Sequence, residues 1–573
     1  MTPAELAAFD EPLRSVTWAL LTAFAASLLL VVAEASQALW KGPEGSAHWS
    51  SDGRRVVLFC LISGLFVRLA APTGLVMHYM GYELIEQARL LGVTPKYGPA
   101  SFQLQHAVLQ IGDGTHLSVI AGHQLLASLL PILAAAWVLR LGCSGRAVAW
   151  TSGLVALTPL LVRDAGTESL LVESALWALG AAWLCADYVR SGAPHRAVLA
   201  AVWGLLAMLA RPEMLATVPL LLAATVWLCR APPRRPHNWA VVGLLVGCCL
   251  MVVWWRVQQM NAALTIEQAR GNTPRVFQQG HVALAGQLLR DALWDKNALL
   301  WPRFFPAATT FAIGSGLVLA TGPARKRLTV LAVLTVAWLL PTALDLPFVS
   351  VPRVQAPALL LASVTGGVAL AIVHGSLHAM WAASQSRVVG VLLAGVWLVT
   401  AAITVPALWR AGPAQAEEQA IQRAAKMLPA AKATVVARGH DDQPDERIHL
   451  AMPRRSWGPN KRAERIGELL NGALRAAPQT PIYAWLGTRC FMRPCTESAV
   501  HPACAKLREQ FTLEPVMTQQ VEVAQVPIPD TFGRQLAKHP GAVADLDFPW
   551  CFTQRSMEIG LYRVVGRKKG GSS

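Results

Sequence analysis

Carboxylates and guanidinia gather in this sequence where its apolar stretches break off. Glu83 and Glu86 fall in a polar stretch, residues 76–116, that also carries His78, Tyr82 and Tyr97. Asp164, Glu168 and Glu173 lie in or just after the next outer break, Arg211 and Glu213 in a third, and Arg353 in a later one. A carboxylate can take the proton of a hydroxyl, and a guanidinium can hold a phosphate through two parallel hydrogen bonds. At the edge of a membrane such groups are costly, and so more often functional than in a soluble loop.

The class of protein follows from composition. With 573 residues, 54% hydrophobic residues and 21 Trp, the chain is too apolar to be soluble. The net charge of +16 would by itself suggest nucleic acid, but the basic residues lie mainly in short loops between apolar segments, where they act as topology signals. No nucleic-acid partner is expected.

Twelve or so apolar runs approach or reach the roughly 17 to 25 residues needed to span a bilayer. They are 16–38, 56–75, 117–139, 147–161, 170–189, 197–209, 214–228, 239–255, 304–319, 328–344, 356–373 and 388–408. The first lacks a basic leader and an Ala-x-Ala site, so it is expected to persist as a helix rather than be cleaved. Arg54 with Arg55, Arg140 with Arg146, Arg190 with Arg196, Arg230 with Arg234 and Arg235, the Arg325, Lys326, Arg327 run, and Arg387 occupy alternate loops. By the excess of basic residues in cytoplasmic loops, these face the cytoplasm. Residues 76–116, 163–169, 211–213, 256–303, 345–355 and everything after Trp409 then face the other side, as does the N-terminus.

Beyond residue 409 the chain turns polar and Pro-rich, with short β-like runs at 433–437 and 481–486. This predicts a small α/β domain over 409–573, large enough for a core of its own. Its four cysteines, Cys490, Cys495, Cys504 and Cys551, form an even set in an extracytoplasmic domain and suggest two disulfides. Cys60, Cys143, Cys185, Cys229, Cys248 and Cys249 sit in or beside apolar runs as small hydrophobes. His78, His106 and His123 have no metal-ligand spacing, so no cofactor is expected and no divalent cation is indicated.

A helix, a long outer loop with acidic residues, then Tyr97-Gly98-Pro99 leading into Gln103-Leu104-Gln105-His106-Ala107 and the next span resembles the integral-membrane GT-C glycosyltransferases. These include the protein O-mannosyltransferase and lipid A aminoarabinose transferase type and bacterial relatives that decorate lipopolysaccharide cores. Leu209-Ala210-Arg211-Pro212-Glu213-Met214 is similar to an Arg-Pro-Glu step after a middle helix of such enzymes. The segments 300–306 and 351–361 resemble, respectively, an aromatic lead-in to a later span and the pattern whose arginine, here Arg353, binds a lipid-phosphate donor.

The resemblance covers roughly residues 56–408 and implies a mainly α, polytopic helical bundle of about 12 spans, with 1–55 as an extra N-terminal helix and loop. It implies transfer of a sugar from a polyprenyl-phosphate donor to an extracytoplasmic acceptor, a lipid, glycan or protein, at the inner (plasma) membrane. Glu83, Glu86 or Asp164 would take the acceptor proton; Arg353 and Arg211 would hold the phosphate; His78, Tyr82, Tyr97, Glu168 and Glu213 would line the pocket. In one respect the chain departs: where the family carries an Asp in the first outer loop, Met80 stands, and Glu83 is the nearest replacement.

Plainer roles exist for the same residues. Glu83, Glu86 and Arg89 have the spacing of a helical surface ladder, Arg211 can cap a helix pair, and Arg353 can anchor at the interface. A transporter or flippase would instead show ionisable residues near span centres, where Arg68 comes nearest, and a catalytically silent relative would fit the missing Asp.

Overall fold

A computed structural model describes residues 3–42, 51–70, 88, 98–112, 116–158, 161–162, 165–166, 171–211, 213–229, 239–269, 304–344, 356–380, 388, 391, 395, 420, 423–424, 427–428, 434–438, 470–472, 474–475, 481–487, 492–494, 502–522, 550–552 and 556–568. Most of the described chain is helical. The helices are α1 (Pro3–Lys41), α2 (Ser51–Ala70), α3 (Pro99–Ile111), α4 (His116–Ser128), α5 (Leu130–Arg140), α6 (Gly145–Leu157), α7 (Leu171–Ser191), α8 (Pro194–Ala210), α9 (Met214–Leu228), α10 (Trp239–Ala269), α11 (Phe304–Leu319), α12 (Gly322–Leu344) and α13 (Ala356–Met380).

The described residues of each apolar run from 16–38 to 356–373 are helical almost throughout. The run 117–139 divides into α4 and α5, because Pro131 has no N–H to give and the chain pauses at Leu129. Among the described residues three helical segments are long and apolar enough to cross a membrane, Glu11–Lys41, Ser118–Arg140 and Ala358–Ala379, and Pro194–Ala210, Met214–Leu228 and Gly243–Gln259 are shorter apolar helices. By that measure the structure supports fewer spans than the twelve or so read from the sequence. The run 388–408 lies almost wholly outside the described residues. Leu58, Phe59, Ile62 and Phe66 on α2, and Leu244, Leu250 and Trp254 on α10, are exposed, as a lipid-facing surface requires.

Small residues let the helices touch, which is the packing expected where lipid tails compete equally for apolar side chains. A Cβ on Gly180 of α7 would come within 2.0 Å of the Trp203 ring of α8. Gly64 of α2 lies against Ala156, and Gly367 of α13 against Thr151, so α6 is gripped from two sides. Trp137, Trp177, Trp183 and Trp203 are fully buried. Phe24 of α1 meets Trp177 and Trp203 edge-on at 5.8 and 4.9 Å. Two of the indole N–H groups find hydroxyls: Trp137 donates to Thr225 at 3.2 Å and Trp203 to Ser27 at 3.4 Å.

Among the described residues, Arg54, Arg140, Arg190, Arg196 and Arg327 of the basic loops gather at one end of this bundle. Arg140 pairs with Asp187 at 2.9 Å, and Arg196 bridges Asp187 at 3.3 Å and Glu34. A side chain on Gly142, whose φ of +75° needs glycine, would meet the guanidinia of both Arg327 and Arg190. Arg54 lies over the Trp40 ring here too.

Arg68, the nearest approach to a mid-span charge, is no part of a polar path. Its guanidinium is fully buried near the far end of α2 and donates to the carbonyls of Gly64, Val155 and Ala156 at 3.1, 2.7 and 2.7 Å. It therefore closes the last turn of α6, where carbonyls lack helical partners and a cation is favoured.

The tail holds a four-stranded sheet of order β1-β2-β6-β4, with β1 (Thr434–Arg438) parallel to β2 (Ile482–Leu486) and both other pairings antiparallel. β4 (Phe511–Glu522) shifts register between Pro515 and Met517, since proline cannot donate to the ladder, and β6 is Ser556–Arg567. A second pair joins β3 (Met492–Pro494) to β5 (Trp550–Phe552), and α14 (Pro502–Gln510) leads directly into β4. The Tyr562 hydroxyl donates to Glu558 at 3.0 Å, and burial pushes its pKa up to about 12. Cys490 and Cys495, and the side chains of Cys504 and Cys551, lie outside the described part, so the expected disulfides are not seen here.

Candidate functional site

The end of the bundle opposite the basic loops is assembled around α3. Gly98 and Pro99 start that helix, proline at its first turn having no N–H to waste. The Gly98 N–H donates to the Ala210 carbonyl at 3.1 Å, and a Cβ on Gly98 would stand 1.7 Å from the Leu209 carbonyl oxygen. Only glycine lets the loop press so closely on the end of α8.

The cations stand at that contact. Arg211 terminates α8 in extended conformation, and its Nε donates to the Glu213 carboxylate. Both side chains are partly buried, 12% and 11% exposed. Arg256 of α10 is fully buried, donates to Gln259 at 2.6 Å, and brings its Nε to 3.2 Å from where a Gly98 Cβ would be. Two guanidinia and one carboxylate thus surround the point where three helices meet. Arg256 had been read as the first residue of an outer loop, yet α10 runs on to Ala269 and carries it into the bundle.

About two helical turns along α3 from Gly98 lies Gln105, part of a second polar cluster. The Glu173 Oε1 accepts from Gln105 at 3.3 Å and lies 2.9 Å from His123 Nε2. The side chains of His123 and Glu173 are 3% and 0% exposed. Glu173 sits in the first turn of α7, where the helix N-terminus favours a negative charge. Its second oxygen, Oε2, is buried and makes no hydrogen bond to the described residues. A buried carboxylate with an open oxygen beside an imidazole can hold a proton or pass one.

Of the residues singled out in the sequence, the structure brings Arg211 and Glu213 together and places Glu173 inside the bundle. His78, Tyr82, Glu83, Glu86, Tyr97, Asp164, Glu168 and Arg353, with Met80, lie outside the described residues. Within residues 71–97 only Ala88 is described; it is buried, and its carbonyl meets His106 Nδ1 at 3.0 Å. Arg256 and Gln259 were not picked out, although the three-residue step between them is a pairing signal on a helix, and Gln105 entered only as part of the 103–107 motif. No group of His, Cys, Asp and Glu able to hold a metal occurs among the described residues.

No protein-family model matches the chain, and no curated protein matches it in sequence. Solved structures do resemble it. The archaeal oligosaccharyltransferase AglB from Archaeoglobus fulgidus, in complex with an inhibitory peptide and a dolichol-phosphate, aligns at 13% identity over 66% of this chain and 58% of its own, with a TM-score of 0.41. The Archaeoglobus fulgidus oligosaccharyltransferase with Zn and sulfate gives 13% identity, 62% and 53% coverage and 0.38. Its apo form gives 11% identity, 78% and 71% coverage and 0.47. The chain therefore spans little more than half the length of the first two, and at these scores the likeness assigns no residue of this chain.

Proposed function

We propose that this chain is a multi-pass membrane glycosyltransferase that moves a sugar from a polyprenyl-phosphate donor to an extracytoplasmic acceptor. The observation that carries the reading is the meeting of α3, α8 and α10, with Arg211 and Arg256 at the end of the bundle opposite the basic loops. In the reaction the anomeric carbon exchanges its bond to the phosphate oxygen for one to the acceptor oxygen, and the electron pair leaves with the phosphate. Arg211 and Arg256, with Arg353, stabilise that departing charge. Glu83 takes the acceptor proton in place of the aspartate missing at Met80, with Glu86 and Asp164 as the other carboxylates within the same outer segments.

In this reading residues 56–408 form the transferase core, 1–55 add a helix and loop, and 409–573 form a periplasmic domain that covers the site and carries two disulfides. The acceptor is a lipid, a glycan or a protein. Purified protein incubated with a set of labelled polyprenyl-phosphate sugars is expected to transfer one of them, and Glu83→Gln to abolish that transfer. Full transfer by Glu83→Gln removes Glu83 as the base, and no transfer from any donor removes the enzyme.

A second reading, a proton-coupled transporter or flippase, is favoured by one observation, the buried His123 and Glu173 pair. Lipid translocation in proteoliposomes without sugar transfer would select it.

A further inference from the structure

An apolar cleft of about 970 Å³ runs between α1, α2, α3 and the α4/α5 pair, and the transferase reading leaves it unused. Its wall on α1 extends from Trp18 to Trp40. That is about 33 Å of helix, close to the roughly 30 Å hydrocarbon thickness of a bilayer. Leu28, Leu61, Leu65, Leu104 and Leu125 are typical of the lining, so a soluble ligand has nothing to bind there. Lipid chains do.

The charge in the cleft is at one end. Arg54 lines the mouth on the side of the basic loops, with its guanidinium 5.6 Å from the centre of the Trp40 ring. The Arg54 Nε is buried and makes no hydrogen bond to the described residues. The neighbouring arginine Arg196 spends its charge on Glu34 and Asp187, whereas Arg54 is paired with no carboxylate among the described residues. The other end of the cleft, near Trp18, Leu104 and Ile111, carries no charged side chain among its lining residues. A guanidinium at the headgroup level above an apolar cleft complements a phosphate with acyl chains, and basic groups at the cytoplasmic surface attract anionic lipid.

We propose that this cleft is a binding site for an anionic glycerophospholipid of the leaflet on the basic side, its phosphate on Arg54 and its acyl chains against α1 and α2. The lipid fills the gap between α1 and α2 and so couples these two helices. The site is separate from Arg211 and Arg256, and it stands whether or not the chain is a transferase.

Full-length protein reconstituted in nanodiscs of mixed phosphatidylglycerol and phosphatidylcholine, then released for native mass spectrometry, tests this. Wild type is expected to retain about one phosphatidylglycerol per chain in preference to phosphatidylcholine, by roughly tenfold, the scale of one charge-assisted contact. Arg54→Ala is expected to lose the preference, while Arg55→Ala, one residue along, keeps it. Leu61→Trp, which fills the cleft and leaves Arg54 in place, is expected to lower retention of both lipids. Equal retention of both headgroups by wild type, an unchanged preference in Arg54→Ala, or retention of a polyprenyl phosphate in place of the glycerophospholipid overturns the proposal.

Discussion

The two ends of the helical bundle use the same residue types differently. At the basic end, the carboxylates Asp187 and Glu34 tie Arg140 and Arg196 into a network joining α1, α5, α7 and α8. At the opposite end, polar groups are buried in small sets: Arg256 against Gln259, Arg211 against Glu213, and Glu173 with one oxygen left without a hydrogen bond. Arginines in a carboxylate network orient and fasten helices. Arg256 beside the Gly98 gap and Arg211 next to Ala210, which Gly98 contacts, are placed in the proposed reading to meet an anionic substrate group. On the proposed reading, one end of the scaffold fastens helices and the other binds the donor.

Substitutions at the two ends separate these roles. The largest effect is expected from Arg211→Ala, which lowers sugar transfer by about 10²- to 10³-fold, the scale of removing one charge-stabilising group, in a steady-state assay. Arg196→Ala at the basic end is expected to leave the transfer rate within about twofold, and a comparable loss there breaks the division of roles. Next, Glu173→Ala leaves His123 and Gln105 buried without their acceptor and is expected to cost about 3 kcal/mol in unfolding in detergent, with Glu173→Gln recovering most of it. Gly98→Ala must displace the Leu209 carbonyl and is expected to cost about 2 kcal/mol, together with activity, since it pushes α3 off the end of α8. The smallest effect, about 1 kcal/mol by the same unfolding measurement, is expected from Asp187→Ala, because Arg196 keeps Glu34 and Arg140, 23% exposed, retains access to water.

The helices were legible because an apolar run of spanning length is a local property, and runs such as 328–344 became helix within a few residues of the reading. The strands at 433–437 and 481–486 were legible for the same reason, β1 and β2 occupying Thr434–Arg438 and Ile482–Leu486. The long strands β4 and β6 were not, since polar residues and Pro515 break their alternation and only pairing with each other makes them strands. Contacts distant in sequence were invisible altogether. Arg68 read as a charge inside a span because nothing nearby reveals that carbonyls 87 and 88 residues away receive it. Gln105, His123 and Glu173 come from three helices, and although Glu173 stood out as a carboxylate beside an outer break, nothing local joins it to the other two. Arg211 was legible from the Arg-Pro-Glu step, but Arg256 was hidden by a span that seemed to end at Trp255.

The binding of an unsubstituted polyprenyl phosphate tests this division most directly. Measured by isothermal titration in phosphatidylcholine nanodiscs, wild type and Arg196→Ala are expected to bind alike, and Arg211→Ala to bind at least tenfold more weakly. Equal binding by wild type and Arg211→Ala, or a loss confined to Arg196→Ala, would contradict it.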